Sequence, residues 1–424
     1  MSAVPDAHAP ALPSGSVIGP ALPSGSVIGP ALPPGSVIGP ALPPGSVIGI
    51  LGGGQLGRMS ALAAARLGYR CHVLTEEADG PAAQVCAAIT LGSHADPAVL
   101  RRFADAVSVV TFEFENISAD GLELLASLRP VRPSAAILRT SQDRILEKRM
   151  LEAAGIPVAP WHAVPSRDAL DAAADRLGLP MVLKTTRLGY DGRGQAVAHD
   201  PQALHAAFDR LAPHPLVAEA LVPFAAELSV IVARGLDGTI RTFDAVQNHH
   251  RNHILDLTLA PAPVGPERRA AAQSLAARIA AHLDLVGLLG VEMFLDAQGV
   301  LLVNEIAPRP HNSGHWTLDA CPVSQFEMHI RAVAGLTLPP AVRHSDAVMK
   351  NLVGPDDVAL WPQIMATDGL LGHLYGKREA RPGRKMGHVN RLFARDALPG
   401  RFGLADALGV LAAGDPDEGE GSEA

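Results

Sequence analysis

Three cysteines in 424 residues, Cys71, Cys86 and Cys321, are too few and too scattered for a disulfide framework or a thiolate zinc site. A reducing, cytoplasmic setting is expected. Basic residues are not in surplus either: the formal net charge is −8, which excludes a broad basic face and makes nucleic acid an unexpected partner. No apolar run reaches the roughly 18 residues of a membrane span, and the N-terminus has no basic-then-apolar layout of a secretory leader. The G-x-x-x-x-G-K-[ST] spacing of a P-loop is missing as well. If a nucleotide binds, it is held in another way.

What is present is a chain with 48 % hydrophobic and 18 % charged residues, long enough for two or three domains around a substantial core. Residues 11–50 are four tandem decapeptides, ALPSGSVIGP twice, then ALPPGSVIGP and ALPPGSVIGI. A ten-residue unit holding Pro and Gly is too short for a solenoid repeat. Residues 1–45 are therefore expected to be a disordered extension whose last copy runs into the first strand, and residues 413–424, which end in the acidic DPDEGEGSEA, a disordered tail.

Ser46–Leu51 reads as a buried strand, Gly52–Gly57 as a tight glycine turn, Arg58–Leu67 as a helix and Tyr69–Leu74 as a second strand. The turn matches G-x-G-x-x-G, where a helix N-terminus receives a phosphate. The acid expected after the second strand is missing, since Thr75 stands there. An open α/β domain whose glycine loop touches a phosphorylated substrate is favoured over one that holds NAD. Ser108–Phe112 then delivers Glu113 and Glu115 to the carboxyl edge of the sheet, where ligands of such sheets bind.

Ser141–Glu152 is expected to be a helix with Arg144, Glu147 and Lys148 on one face. Met181–Lys184 is a strand ending in a cation that would neutralise an inner phosphate. Thr185–Gln195 has three glycines in six residues and suits a flap folding backbone N–H groups over phosphates. Leu216–Ala218 runs into Glu219-Ala220-Leu221-Val222, a place for main-chain contacts to an adenine ring. Glu227, at a strand start, suits ribose hydroxyls, and Asn248–Arg251 is polar enough to reach the same cleft.

The chemistry is densest at Val303–Thr317. An apolar strand, Gly299–Val303, ends in Asn304-Glu305, and Arg309, His311, Asn312, Ser313 and His315 follow an irregular turn. Upstream, Leu288–Asp296 and its Ala297-Gln298 tip form a hairpin. Glu292 then faces Val303, and Glu305 lies one diagonal step away on the same face, about 7–8 Å between backbones. Paired carboxylates with an amide neighbour suit Mg²⁺ that keeps waters and shares phosphate oxygens. Further on, Lys377–His388 collects Lys377, Arg378, Arg381, Arg384 and Lys385, a candidate phosphate pocket.

Together GGGQLGRM (Gly52–Met59), QDR (Gln142–Arg144), GYDGRGQ (Gly189–Gln195), NEIAPRPHNSGHWT (Asn304–Thr317) and RPGRKMGH (Arg381–His388) resemble the N5-carboxyaminoimidazole ribonucleotide synthase family of ATP-grasp enzymes, over roughly Ser46 to Phe393. The resemblance implies an α/β and α+β architecture: an N-terminal open parallel α/β pre-ATP-grasp domain (46–145), an ATP-grasp domain (146–340) and a small β-rich C-terminal domain (341–412). It implies ATP lined by Arg144, Lys184, Gly189, Tyr190, Asp191, Gly192, Arg193, Gly194, Gln195, Glu219–Val222, Glu227, His250, Asn304 and Glu305. Mg²⁺ would sit on Glu292 and Glu305. The phosphoribosyl substrate would meet Gln55, Leu56, Glu115, Asn312, Lys377, Arg384 and Lys385, with Arg309, His311 and Lys377 at the chemistry. The implied reaction is carboxylation of 5-aminoimidazole ribonucleotide with ATP and bicarbonate, by a cytoplasmic homodimer. Two departures stand out: Thr75 in place of an acid, and His253 where glycine is usual.

Overall fold

The computed structural model describes residues 41–187, 189, 194–212 and 214–398. The first three decapeptides, Tyr190–Arg193 of the flap and the acidic tail lie outside the described residues. Among those described, no helix is long and apolar enough to cross a membrane.

The N-terminal sheet is parallel, in the order Ala88–Leu91, Arg70–Thr75, Val47–Leu51, Val109–Phe112. Val47–Leu51 is its centre, and burial of Ile48, Ile50 and Leu51 explains the unbroken apolar run. The glycine turn leads into the helix Gln55–Arg66, which starts three residues earlier than the spacing predicts. A Cβ on Gly53 would stand 2.4 Å from Thr75 Oγ1, so the residue in place of the expected acid packs against the turn.

A second sheet is antiparallel, in the order Trp161–Val164, Leu216–Ala220, Met181–Thr185, Gln195–Ala198. The third, of nine strands, runs Leu301–Ala307, Gly287–Asp296, Phe224–Arg234, Val246–Arg251, Ile254–Ala260, Asp346–Val353, Lys385–Phe393, Leu370–Leu374, with Ile240–Thr242 beside Phe224–Arg234. The β-rich C-terminal segment therefore continues the sheet before it, through pairing of Ile254–Ala260 with Asp346–Val353.

Two expectations about the central hairpin are corrected. The strand after the turn runs from Leu301 to Ala307, so Glu305 lies within it and not beyond its end. The predicted diagonal is also wrong: Glu292 pairs directly with Glu305, and Met293 with Val303. Asn304 is the extra residue of a β-bulge, which bends the strand and advances the register by one. Turn chemistry cannot reveal that insertion.

The helix Gln325–Ala334 is nearly all buried because it is clasped on two sides. Phe326, Ile330 and Val333 pack with Met59 and Ala63 under the N-terminal sheet, while Met328 and Ala332 pack with Ile231, Leu288 and Trp316 under the large one. Thr111 Oγ1 bonds His329 Nε2 at 2.9 Å across the first of these contacts. The helix Pro266–His282 covers the large sheet through Ala272, Ala276 and Ile279.

Candidate functional site

All three sheets open onto one cleft of about 1030 Å³. The N-terminal sheet contributes its glycine turn and the Glu113–Asn116 edge. The loop before the helix Ala119–Ala126 carries Glu115, and the helix Arg144–Ala153 contributes Arg144 and Glu147. The predicted helix Ser141–Glu152 is broken there: Asp143 caps Arg144–Ala153, its carboxylate accepting from Ile145 and Leu146 N–H.

The deepest charges form a triangle. Glu219, buried, accepts from Lys184 Nζ at 3.0 Å and lies 3.2 Å from Lys148 Nζ. Burial alone would raise the Glu219 carboxyl, but Lys184 and then Lys148 outweigh it and hold it down to about 2. The sequence reading assigned Glu219–Val222 a main-chain role; the structure adds that the Glu219 side chain is the counter-ion of two lysines, and that the N–H groups of Ala220 and Leu221 bond the Pro160 and Pro180 carbonyls. Lys148 escaped the sequence-based site: its helical spacing from Arg144 was visible, but not that the whole face turns inward.

Glu305 is held by Arg144 at 3.1 Å and Glu292 by His311 Nε2 at 3.0 Å. As direct cross-strand partners the two carboxylates share a face, with Cβ atoms roughly 4.5–5.5 Å apart. Burial would raise Glu292, yet its hydrogen bond to His311 and the charges of His250 and Lys385 lower it to about 2. Glu147 differs: burial and the charge of Glu305 push it up to about 8, and it accepts from Ile306 N–H at 2.6 Å. Asn304 Oδ1 is buried without a hydrogen-bond partner among the described residues. Two carboxylates beside an unsatisfied amide oxygen form a donor set suited to a hard cation.

The helix Gln55–Arg66 corrects another expectation. Its N-terminus is not open to a phosphate, because Glu113 accepts there from Gly54 N–H at 2.7 Å and Gly57 N–H at 3.1 Å. Burial raises the Glu113 carboxyl against those bonds. Gln55 and Leu56 still line the cleft.

Phe224 and Phe294 stack with ring centroids 4.9 Å apart, an apolar wall of the cleft that the sequence reading missed. Glu227 bonds His250. The turn that follows His250 has Asn252 and His253 at φ 50° and 64°, so His253 adopts the left-handed backbone that glycine takes most easily. Opposite, Arg309 lies 3.2 Å from Glu115, and both side-chain polar atoms of Asn312 are buried without a hydrogen-bond partner among the described residues. Gln325 fixes His311 by its main chain, accepting from its N–H at 3.0 Å and donating to its carbonyl at 2.7 Å.

The basic run divides. Lys377, Arg384 and Lys385 line the cleft, whereas Arg378 pairs with Asp79 and Arg381 with Glu379 on the outside. Burial and the charge of Arg384 lower the Lys377 ammonium to about 8. Of the other sequence-based candidates, Gly189, Gln195, Leu221 and Val222 line the cleft and Gly194 does not. Tyr190, Asp191, Gly192 and Arg193 fall outside the described residues.

Three family models match segments of the chain. Residues 46–142 match a ribonucleotide synthetase preATP-grasp domain, 149–326 an ATP-grasp domain and 347–397 a phosphoribosylaminoimidazole carboxylase C-terminal domain. The N5-carboxyaminoimidazole ribonucleotide synthase of Brucella melitensis is 47 % identical over 350 residues, 82 % of this chain and 96 % of that protein. N5-carboxyaminoimidazole synthetase from Staphylococcus aureus, solved with ADP, superposes with a TM-score of 0.80 at 38 % identity, covering 83 % of this chain and 94 % of its own. The Aspergillus clavatus N5-carboxyaminoimidazole synthase, solved with ADP and 5-aminoimidazole ribonucleotide, gives 0.81 at 32 % identity, covering 87 % and 98 %.

Proposed function

This chain belongs to the N5-carboxyaminoimidazole ribonucleotide synthase family of ATP-grasp ligases, and from that premise we propose that it joins bicarbonate carbon to the amine of 5-aminoimidazole ribonucleotide, driven by ATP, in purine biosynthesis. The carrying observation is the convergence of a carboxylate pair, Glu292 and Glu305, with a lysine pair, Lys148 and Lys184, in the cleft that Lys377, Arg384 and Lys385 reach from the other end.

Bicarbonate is a poor electrophile, and its attack on the γ-phosphate of ATP gives carboxyphosphate and ADP. Lys184 and Lys148 carry one net positive charge with Glu219, available to phosphate oxygens in a site poor in water. Arg309 stabilises the developing charge next to the transferring group. Glu292 and Glu305, with Asn304 alongside, would hold Mg²⁺. Bound there, the ion would neutralise phosphate charge. The amine nitrogen of the ribonucleotide then takes up the carboxyl carbon and phosphate leaves. Lys377, Arg384, Lys385 and the unsatisfied amide of Asn312 hold the phosphoribosyl part. The enzyme works as a cytoplasmic homodimer built from the units 46–145, 146–340 and 341–412.

Arg309→Ala tests the chemical half of this reading. Phosphate release in the presence of aminoimidazole ribonucleotide should lose its dependence on bicarbonate, with turnover down about 10²–10³-fold and ATP affinity retained. Turnover at the wild-type rate would remove Arg309 from the reaction.

A further inference from the structure

A row of small polar side chains runs across the large sheet and ends at His311. Glu292 is in register with Ser229 on the neighbouring strand, and Asn248 is in register with Thr258 on the next pair. Thr258, Ser229 and Ser313 are fully buried and Asn248 nearly so. Hydroxyls and an amide at the centre of a sheet cost stability unless every one is satisfied. Each finds its partner in the next: Thr258 Oγ1 to Asn248 Oδ1 at 3.0 Å, Asn248 Nδ2 to Ser229 Oγ at 2.9 Å, Ser229 Oγ to Ser313 Oγ at 2.7 Å, and Ser313 Oγ to His311 Nδ1 at 2.9 Å.

The direction of this chain follows from its cleft end. His311 Nε2 faces the Glu292 carboxylate, an acceptor, so Nε2 carries a proton. Nδ1 faces the N–H of Ser313 at 3.4 Å, so it accepts. The Ser313 hydroxyl must then donate to Nδ1, and its oxygen is left to accept from Ser229. Ser229 has spent its proton and accepts in turn, which fixes the amide of Asn248 with nitrogen towards Ser229 and oxygen towards Thr258. One donor orientation satisfies all five links.

We propose that Thr258, Asn248, Ser229 and Ser313 are positioning residues, a one-way hydrogen-bond chain that holds the His311 ring with Nδ1 accepting and Nε2–H directed at Glu292. This rests on the reading of His311 and Glu292 as parts of the phosphate-transfer site. Linked bonds of one polarity strengthen one another, so a hydroxyl four links away sets how firmly Nδ1 is held. It also decides which oxygen of Glu292 remains open to the cleft.

The test uses the full chain labelled with ¹⁵N-histidine at neutral pH, with the His311 resonances identified by their loss in His311→Gln. Thr258→Val removes the far hydroxyl at nearly constant shape, and Ser229→Ala cuts the middle. Both should move the His311 Nδ1 resonance away from its hydrogen-bonded position, and Thr258→Ser should restore it. In Thr258→Val kcat should fall roughly three- to tenfold, the equivalent of one hydrogen bond, with the KM for ATP unchanged. An Nδ1 resonance unmoved in both variants overturns the chain, as does a displacement that Thr258→Ser leaves in place. If the resonance moves as expected while bicarbonate-dependent turnover does not, the chain stands and the assignment of His311 to the reaction falls.

Discussion

Lys377 lines the cleft, donating to the Lys385 carbonyl at 2.6 Å with its ammonium lowered to about 8 by burial and by Arg384. Its positive charge is therefore lost as the pH rises through about 8, where an exposed lysine would still be protonated. If that charge holds the ribonucleotide, the KM for aminoimidazole ribonucleotide should climb on the alkaline side of pH 8. Lys377→Arg, which stays charged, should move the climb upward by more than one pH unit. Steady-state KM across pH checks this, and an identical alkaline limb in both proteins would take Lys377 out of substrate binding. Elsewhere in the cleft, Lys184 and Lys148 share one carboxylate, that of Glu219.

The hairpin Gly287–Asp296 with Leu301–Ala307 is the element on which the site depends. The residue types foretold a hairpin with two glutamates on one face. The register did not follow from them, since a turn one residue longer than the two-residue tip sets Leu295 opposite Leu301 and the bulged Asn304 adds a second step, and together they convert a diagonal pair into a direct one. Behind it, Gly290 leaves room for the turn to fold back: a Cβ there would lie 2.9 Å from the Cβ of His311. Gly290→Ala should push His311 off Glu292 and destabilise the fold by about 1–3 kcal/mol. Turnover should fall at least tenfold while ATP binding, made chiefly by other strands, changes little; calorimetric titration with ATP beside a rate assay separates the two. Equal losses in both would mean that the hairpin as a whole had collapsed.

At the scale of the molecule, the last decapeptide has a structural duty. Leu42 N–H donates to the Ala334 carbonyl at 2.9 Å, Tyr69 Oη donates to the Leu42 carbonyl at 2.8 Å, and the Leu42 side chain packs against the cluster around Phe326. Removing residues 1–40 should leave stability and activity as they are. Removing 1–44 should cost a further ~2–3 kcal/mol, from two hydrogen bonds and a partly buried leucine, read as a lower midpoint in denaturant unfolding. Equal midpoints would mean that this docking contributes nothing. Local order in the chain was enough to specify the glycine turn, the strand before the flap, the two-glutamate hairpin and the family, because each depends on residue types at fixed short spacing. Long-range packing settled the rest. It brought Glu113 onto a helix N-terminus 59 residues away from it in sequence at Gly54, turned Lys148 and Glu219 inward together, and joined the C-terminal strands to the central sheet. Such outcomes turn on which surfaces bury each other and which buried polar groups find partners, and a one-dimensional pattern carries neither.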